Sequence, residues 1–224
     1  MHNSPSNGSL SFRFLLVLGL AWALVEVAFG SVLKAGCPRG MTGSVLTGTA
    51  MLFISAAWHT RARAAVLVPL ALAVVGKAVG AAALGRPVLG GAVLNPGYAY
   101  VMEVVALVAV VGLVGQRRMA RLPAAALAGA GAGLAAPLLF LPVGMFTGAK
   151  ACTHAATGLP LAVVYAPLAV AISAVTVPLG RTLALRVQAW IRADRPYRVR
   201  PGVALNLASA VALLALIVAH LVTS

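Results

Sequence analysis

Seven apolar runs dominate this sequence, at 12–33, 41–58, 64–84, 96–115, 123–147, 159–180 and 202–222. A helix that crosses a bilayer needs ~20 consecutive, mainly apolar residues, because each residue advances the helix by only ~1.5 Å. Inside lipid the backbone must satisfy its own hydrogen bonds, which leaves helices and closed barrels as the only spanning structures. The runs are too long for barrel strands. They predict an all-α, polytopic transmembrane helix bundle of six to seven spans.

The breaks carry turn chemistry: Gly36-Cys37-Pro38-Arg39-Gly40, Gly85-Arg86-Pro87, Asn95-Pro96-Gly97 and Arg200-Pro201-Gly202. The run at 123–147 is long and contains Pro137 and Pro142, which predicts a kink or a re-entrant end. Four units follow. Residues 1–11 form a polar, disordered cytoplasmic tail, and 12–180 form a six-span membrane domain. Residues 181–200 form a basic amphipathic cytoplasmic segment, and 201–224 form a seventh spanning helix. In the third unit Leu183, Leu185, Val187, Trp190 and Ile191 stand among arginines, the pattern of a helix lying in the lipid interface. The first run reads as a retained span rather than a cleaved signal, since it is long and contains Glu26.

Composition narrows the class further. Hydrophobic residues make up 62% and charged residues 9% of the chain. Soluble domains carry about 25% charged residues and need a polar surface. Only Glu26, Glu103 and Asp194 are acidic against 17 Lys+Arg, which gives a formal net charge of +14. No basic face or aromatic reading module accompanies that charge, so nucleic-acid binding is set aside. The cations instead follow the loops. With the N-terminus inside, twelve arginines fall on the cytoplasmic side. Lys34, Arg39, Arg86 and Lys150 fall outside, and Lys77 lies within a span. That bias sets the N-terminus in the cytoplasm and the C-terminus outside, and the expected location is a bacterial inner membrane, with membrane lipid as the first partner. The loops between spans are too short for an ATP-binding fold.

Ionisable groups inside spans are the places to look for function, because each costs ~2.5–3.5 kcal/mol near the bilayer centre on insertion scales. Glu26, Lys77 and Glu103 qualify. Each lies seven residues from the expected outer end of its run, Leu33, Leu84 or Pro96, so all three are expected ~10 Å below the outer surface. Lys34 stands two turns above Glu26, and Arg39, Asn95, Lys150 and His154 lie at the same surface. The pattern predicts a polar chamber opening outward, with a helix-pinning Glu–Lys pair as the structural alternative. Tyr98, Tyr100, Tyr165 and Trp22 could add aromatic faces.

Cys37 and Cys152 fall in outer loops, where either a disulfide across the chamber mouth or two free thiols would fit. His154 and His220 lie at similar depth, where they could hold a haem, although histidines at headgroup level are common. Metalloprotease, nucleophile-elbow and phosphate-loop motifs are absent, so no enzyme activity and no cofactor are expected. Ala124, Ala128, Ala132 and Ala136, beside Gly129 and Gly133, form a small-residue ridge for close helix packing.

The segment Leu20-Ala-Trp-Ala-Leu-Val-Glu-Val-Ala-Phe-Gly-Ser-Val-Leu-Lys34, followed by Arg39-Gly-Met-Thr-Gly43, Lys77, Pro96 and Glu103, resembles the substrate-binding S-components of energy-coupling-factor transporters. The likeness covers the first half of the chain. It implies a helical bundle that binds a vitamin, a precursor or a metal-related substrate from outside. Delivery would then require a transmembrane coupling subunit and ATPase subunits. The implied pocket falls on Lys34, Lys77, Asn95, Glu103, Lys150 and His154, with Glu26 added from the counting above. Two departures stand out: that family has six spans, and its Ala-x-x-x-Ala contact becomes Gly19-x-x-x-Ala23 here. The coupling subunit is expected on that surface or on the alanine ridge. The alternatives are an ion-coupled carrier acting alone, or a membrane anchor of a respiratory or photosynthetic complex with haem or quinone at His154 and His220.

Overall fold

The computed structural model describes residues 7–36, 41–60, 63–148, 152–154 and 156–192. Arg39, Cys37, Lys150, His220 and the seventh apolar run lie outside the described residues. Eight α-helices are described: α1 (Asn7–Gly36), α2 (Met41–Trp58), α3 (Leu67–Ala83), α4 (Gly91–Val114), α5 (Leu122–Leu139), α6 (Val143–Thr147), α7 (Leu161–Val164) and α8 (Ala166–Arg192). Two short 3-10 turns, at Arg63–Val66 and Arg118–Ala120, lead into α3 and α5. Among the described residues the only extended pairing is an isolated bridge between Thr153 and Pro160. The fold is all-helical.

Five of these helices are long and apolar enough to cross a membrane: Met41–Trp58, Ala64–Ala83, Gly91–Val114, Leu122–Leu139 and Ala166–Ala189. The outer faces are greasy. Leu113 is 85% exposed, Leu127 72% and Val79 62%. Such faces are unfavourable in water and suited to lipid.

Several boundaries differ from expectation. Helix α1 begins at Asn7, so residues 7–11 belong to a helix and not to a disordered tail. The Asn95-Pro96-Gly97 break does not form: α4 starts at Gly91 and carries Pro96 as its sixth residue. So near the helix start, a proline forfeits only the bond to the Ala92 carbonyl and leaves the following turns intact. The run at 159–180 divides at Tyr165, where α7 ends and Ala166-Pro167 opens α8. Proline fits that first turn, since its missing N–H would have no partner there.

A larger correction concerns residues 181–192, which extend α8 without a break and form no separate interfacial helix. Nothing between Gly180 and Pro196 stops a helix, and leucine, arginine, glutamine and alanine all favour one. The long run at 123–147 does break near its prolines. Helix α5 ends at Leu139, and the short α6 follows Pro142 and terminates on Gly148 with φ +66°. That left-handed cap suits glycine.

Small residues hold the bundle together. Helix α2 is the most buried of the five, because its run of Thr42, Ser44, Gly48, Ala50, Ser55, Ala56 and Ala57 lets neighbours approach closely. It packs on α8, α1 and α4. Gly48 abuts Ile172, and Gly180 abuts the Leu52 carbonyl. Two hydroxyls cross that interface: Thr176 donates to the Gly48 carbonyl at 2.6 Å and Ser55 donates to the Val177 carbonyl at 2.8 Å. On the other flank, Gly76 and Gly80 of α3 receive Ala23 and Val27 of α1, a close small-xxx-small crossing. The alanine ridge packs inside the chain. Ala128, Ala132 and Ala136 of the ridge are buried and Ala124 is half-buried, while Gly129 and Gly133 press on Ser173 and Ala169 of α8.

Candidate functional site

Helices α1, α2, α3 and α4 bring the intramembrane ionisable residues to one place. Glu26 accepts a 2.8 Å hydrogen bond from the Tyr100 hydroxyl on its Oε2. Lys77 on α3 directs its Nζ at the Glu26 backbone carbonyl at 3.5 Å, and its charge interacts with the Glu26 carboxyl. Glu103, one turn along α4 from Tyr100, receives the Thr47 hydroxyl from α2 and lies within electrostatic reach of Glu26. Trp22 completes the cluster. Its ring meets Tyr100 edge-on at 5.4 Å and stacks on Phe53 at 6.3 Å, and its Nε1–H faces Glu26 without reaching hydrogen-bonding geometry.

Glu26 is 2% exposed and Glu103 3%, so neither lines an open mouth. The common depth expected from the apolar runs is not what unites them. Measured from the observed helix ends, Glu26 lies ten residues before Gly36, Lys77 six before Ala83 and Glu103 twelve after Gly91. They meet because α1 and α3 cross tightly at their glycines and because lysine and tyrosine are long enough to reach across.

The cluster is incompletely satisfied. Glu103 Oε2 and Trp22 Nε1, an acceptor and a donor, are both buried without a hydrogen-bond partner. Leaving a buried polar group unpaired costs about 1–3 kcal/mol. Two carboxyl groups also face one ammonium, so electrical neutrality in this interior calls for one further positive charge. A proton or a cationic ligand group would supply it.

The other expected site residues fall elsewhere. Asn95 is held at the start of α4, with its Oδ1 2.8 Å from the Thr147 hydroxyl of α6. Beside it Tyr98 stacks on Phe146 at 5.5 Å and donates to the Leu139 carbonyl at 3.3 Å. That network fastens the α5–α6 elbow to α4. His154 sits in a closed turn, where its backbone N–H donates to the Leu159 carbonyl at 2.8 Å and its own carbonyl accepts from Gly158 N–H at 2.8 Å. Lys34 lies in the last turns of α1. Cys152 is exposed and forms no disulfide among the described residues. No group of three or more His, Cys, Asp or Glu able to hold a metal occurs among the described residues.

Sequence reasoning gave Trp22 and Tyr100 only a stacking role and did not weigh Thr47. The signal was available in the spacing. Trp22 precedes Glu26 by four residues and Tyr100 precedes Glu103 by three, the separations that put side chains on one helical face.

At the opposite end of α2, His59 donates from Nδ1 to the Ser55 carbonyl at 2.8 Å, and Gln188 of α8 donates to the His59 carbonyl. Burial holds the His59 imidazole below its ordinary titration range, and the charge of Arg181 pushes the same way.

No protein-family profile, curated protein or solved structure matches the chain.

Proposed function

We propose that this chain is a multi-pass transport protein of a bacterial inner membrane that binds a small solute at the Glu26–Lys77–Tyr100–Glu103 cluster. The reading places α1 as a first span, the N-terminus in the cytoplasm and the C-terminus outside, in keeping with the positive-inside distribution of arginine. One observation carries it: four helices converge on two buried carboxyls, with an acceptor and a donor left unpaired between them. Scaffolding alone gains little from buried ion pairs, and apolar residues of similar volume often do as well. Buried polar groups that converge and stay unsatisfied fit a ligand site better.

Ligand-stabilised thermal unfolding of the purified chain, screened against vitamins, metal ions and small organic cations, tests the proposal. Stabilisation by a hit should vanish in Glu103→Ala and Lys77→Ala proteins. Normal binding in both would remove the cluster from the site.

A carrier acting alone is favoured over a subunit that docks on a coupling protein. Both surfaces open to such a partner in the sequence are used internally. Gly19 and Ala23 pack against Pro69, Leu72 and Gly76, while the alanine ridge packs against α8. Solute uptake by the purified chain alone in liposomes, driven by a pH gradient, is the expected result. Uptake only in the presence of ATPase subunits, with those subunits co-purifying, would restore the S-component reading.

A further inference from the structure

The cluster leaves one carboxyl oxygen, Glu103 Oε2, and one donor, Trp22 Nε1, without hydrogen-bond partners in a space closed to solvent. With the helices packed as they are here, an occupant must neutralise a negative charge and take almost no volume, and a solute would enter only when they part. Trp22 is fully buried, Tyr100 is 2% exposed, and the rings of Trp22, Tyr100 and Phe53 already pack on one another. A proton meets both conditions. We infer that the buried cluster holds one exchangeable proton on the Glu103 carboxyl, with Glu26 remaining ionised beside Lys77. This deepens the transport reading by naming the coupling ion of the same site.

The assignment to Glu103 follows from the partners. Glu26 has the Tyr100 hydroxyl as donor and the Lys77 ammonium as counter-charge. Glu103 has the neutral Thr47 hydroxyl, faces the charge of Glu26, and keeps Oε2 unpaired. With the proton on Glu103, the sum over Glu26, Lys77 and Glu103 is zero, the least costly arrangement in a low-dielectric interior. Release breaks the Glu103 O–H bond, leaves the electron pair on the carboxylate and passes the proton to water. Few other groups can compete. Glu26 comes from α1 and Lys77 from α3, while α2, α5 and α6 carry no acidic or basic side chain. On α4 itself the titratable neighbours are Tyr98 and Tyr100, and Arg118 packs at the opposite end of that helix.

The chain offers a clean assay, because its only acidic side chains are Glu26, Glu103 and Asp194. Infrared spectra of the purified full chain in lipid read protonated carboxyl groups directly through their carbonyl stretch. The expected result at neutral pH is one such band that survives Asp194→Asn and the double variant Glu26→Gln/Lys77→Met, which removes the ion pair as a unit, and disappears in Glu103→Gln. Should Glu103→Gln fail to fold, survival in the other two variants still assigns the band by elimination. The wild-type band should also shift in heavy water and fade as pH is raised. Absence of the band at neutral pH, or its loss in Glu26→Gln/Lys77→Met but not in Glu103→Gln, overturns the inference. A band that neither shifts in heavy water nor fades with alkali also overturns it, since the proton would then be fixed. Solute binding is measured separately by thermal unfolding, so loss of the proton assignment leaves the transport reading standing, and the reverse.

Discussion

The Tyr100 hydroxyl on α4 and the Glu26 carboxyl on α1 are joined by a 2.8 Å hydrogen bond buried at the centre of four helices. These residues are 74 positions apart, and their meeting ties the first helix to the fourth through a charged region of the interior.

Removing that hydroxyl should therefore be costly. Tyr100→Phe keeps the ring that packs on Trp22 but strips Glu26 Oε2 of its donor. A loss of about 1–3 kcal/mol is expected, the cost of leaving a buried polar group unpaired. Denaturant titration of the variant in mild detergent measures it. An unchanged midpoint would mean that the bond contributes nothing.

Lys77 and Glu26 should show strong coupling. Lys77→Met leaves the Glu26 carboxyl without its nearby cation, which costs about 3–5 kcal/mol when such pairs are broken. Adding Glu26→Gln removes the stranded charge, so the double variant should be more stable than Lys77→Met alone. A double-mutant cycle on unfolding free energies tests this, and simple additivity would contradict it.

The α5–α8 contact depends on the lack of side chains at Gly129 and Gly133. A Cβ at Gly129 would overlap the Ser173 carbonyl, and one at Gly133 would lie 2.8 Å from the Ala169 carbonyl. Both obstacles are backbone and cannot rotate away. Gly129→Ala should lower the midpoint by the equivalent of about 1–3 kcal/mol, the usual cost of overpacking. Gly112→Ala on the exposed face of α4 meets nothing within 4 Å and should be neutral or stabilising, by up to ~1 kcal/mol from helix propensity.

Hydroxyl bonds across the α2–α8 interface should matter less than the glycines. Thr176→Val and Ser55→Ala each delete one donor to a carbonyl. Interhelical hydrogen bonds in a membrane protein average about 0.6 kcal/mol, with a maximum near ~1.7. Losses in that range are expected by the same titration. A larger effect would point to a role beyond packing.

His59 gives the bundle a pH dependence. Its folded-state pKa is lowered from 6.5, mainly by burial. The unfolded chain therefore binds the proton more readily, and the contribution of His59 to stability is full above the unfolded pKa and declines as pH falls below about 6.5. Thermal midpoints measured from neutral to mildly acidic pH should fall, and His59→Gln should flatten that fall. An identical slope in the variant would assign the dependence elsewhere.

Much of this architecture was legible before any coordinates. Apolar run length marked the five described helices that are long and apolar enough to cross a membrane, since a polar residue in lipid has no water to bond to, and that constraint acts on each segment alone. The prolines at 137 and 142 marked the α5–α6 break for the same local reason. Glu26, Lys77 and Glu103 were visible because charge is rare among so many apolar residues. What the linear pattern could not give was decided between helices. Whether Asn95-Pro96-Gly97 breaks a helix depends on how far upstream α4 begins, and α4 begins at Gly91. That the continued end of α8 meets the end of α2, where Gln188 donates to the His59 carbonyl, is a contact between helices. The partner of Glu26 is a tyrosine on another helix, and only the glycine-mediated approach of α1 to α3 and the placement of α2 between α1 and α4 bring carboxyls, ammonium and indole into contact. Hydrophobic burial in lipid is read residue by residue; polar pairing requires two surfaces to meet, and that geometry exists only in the assembled bundle.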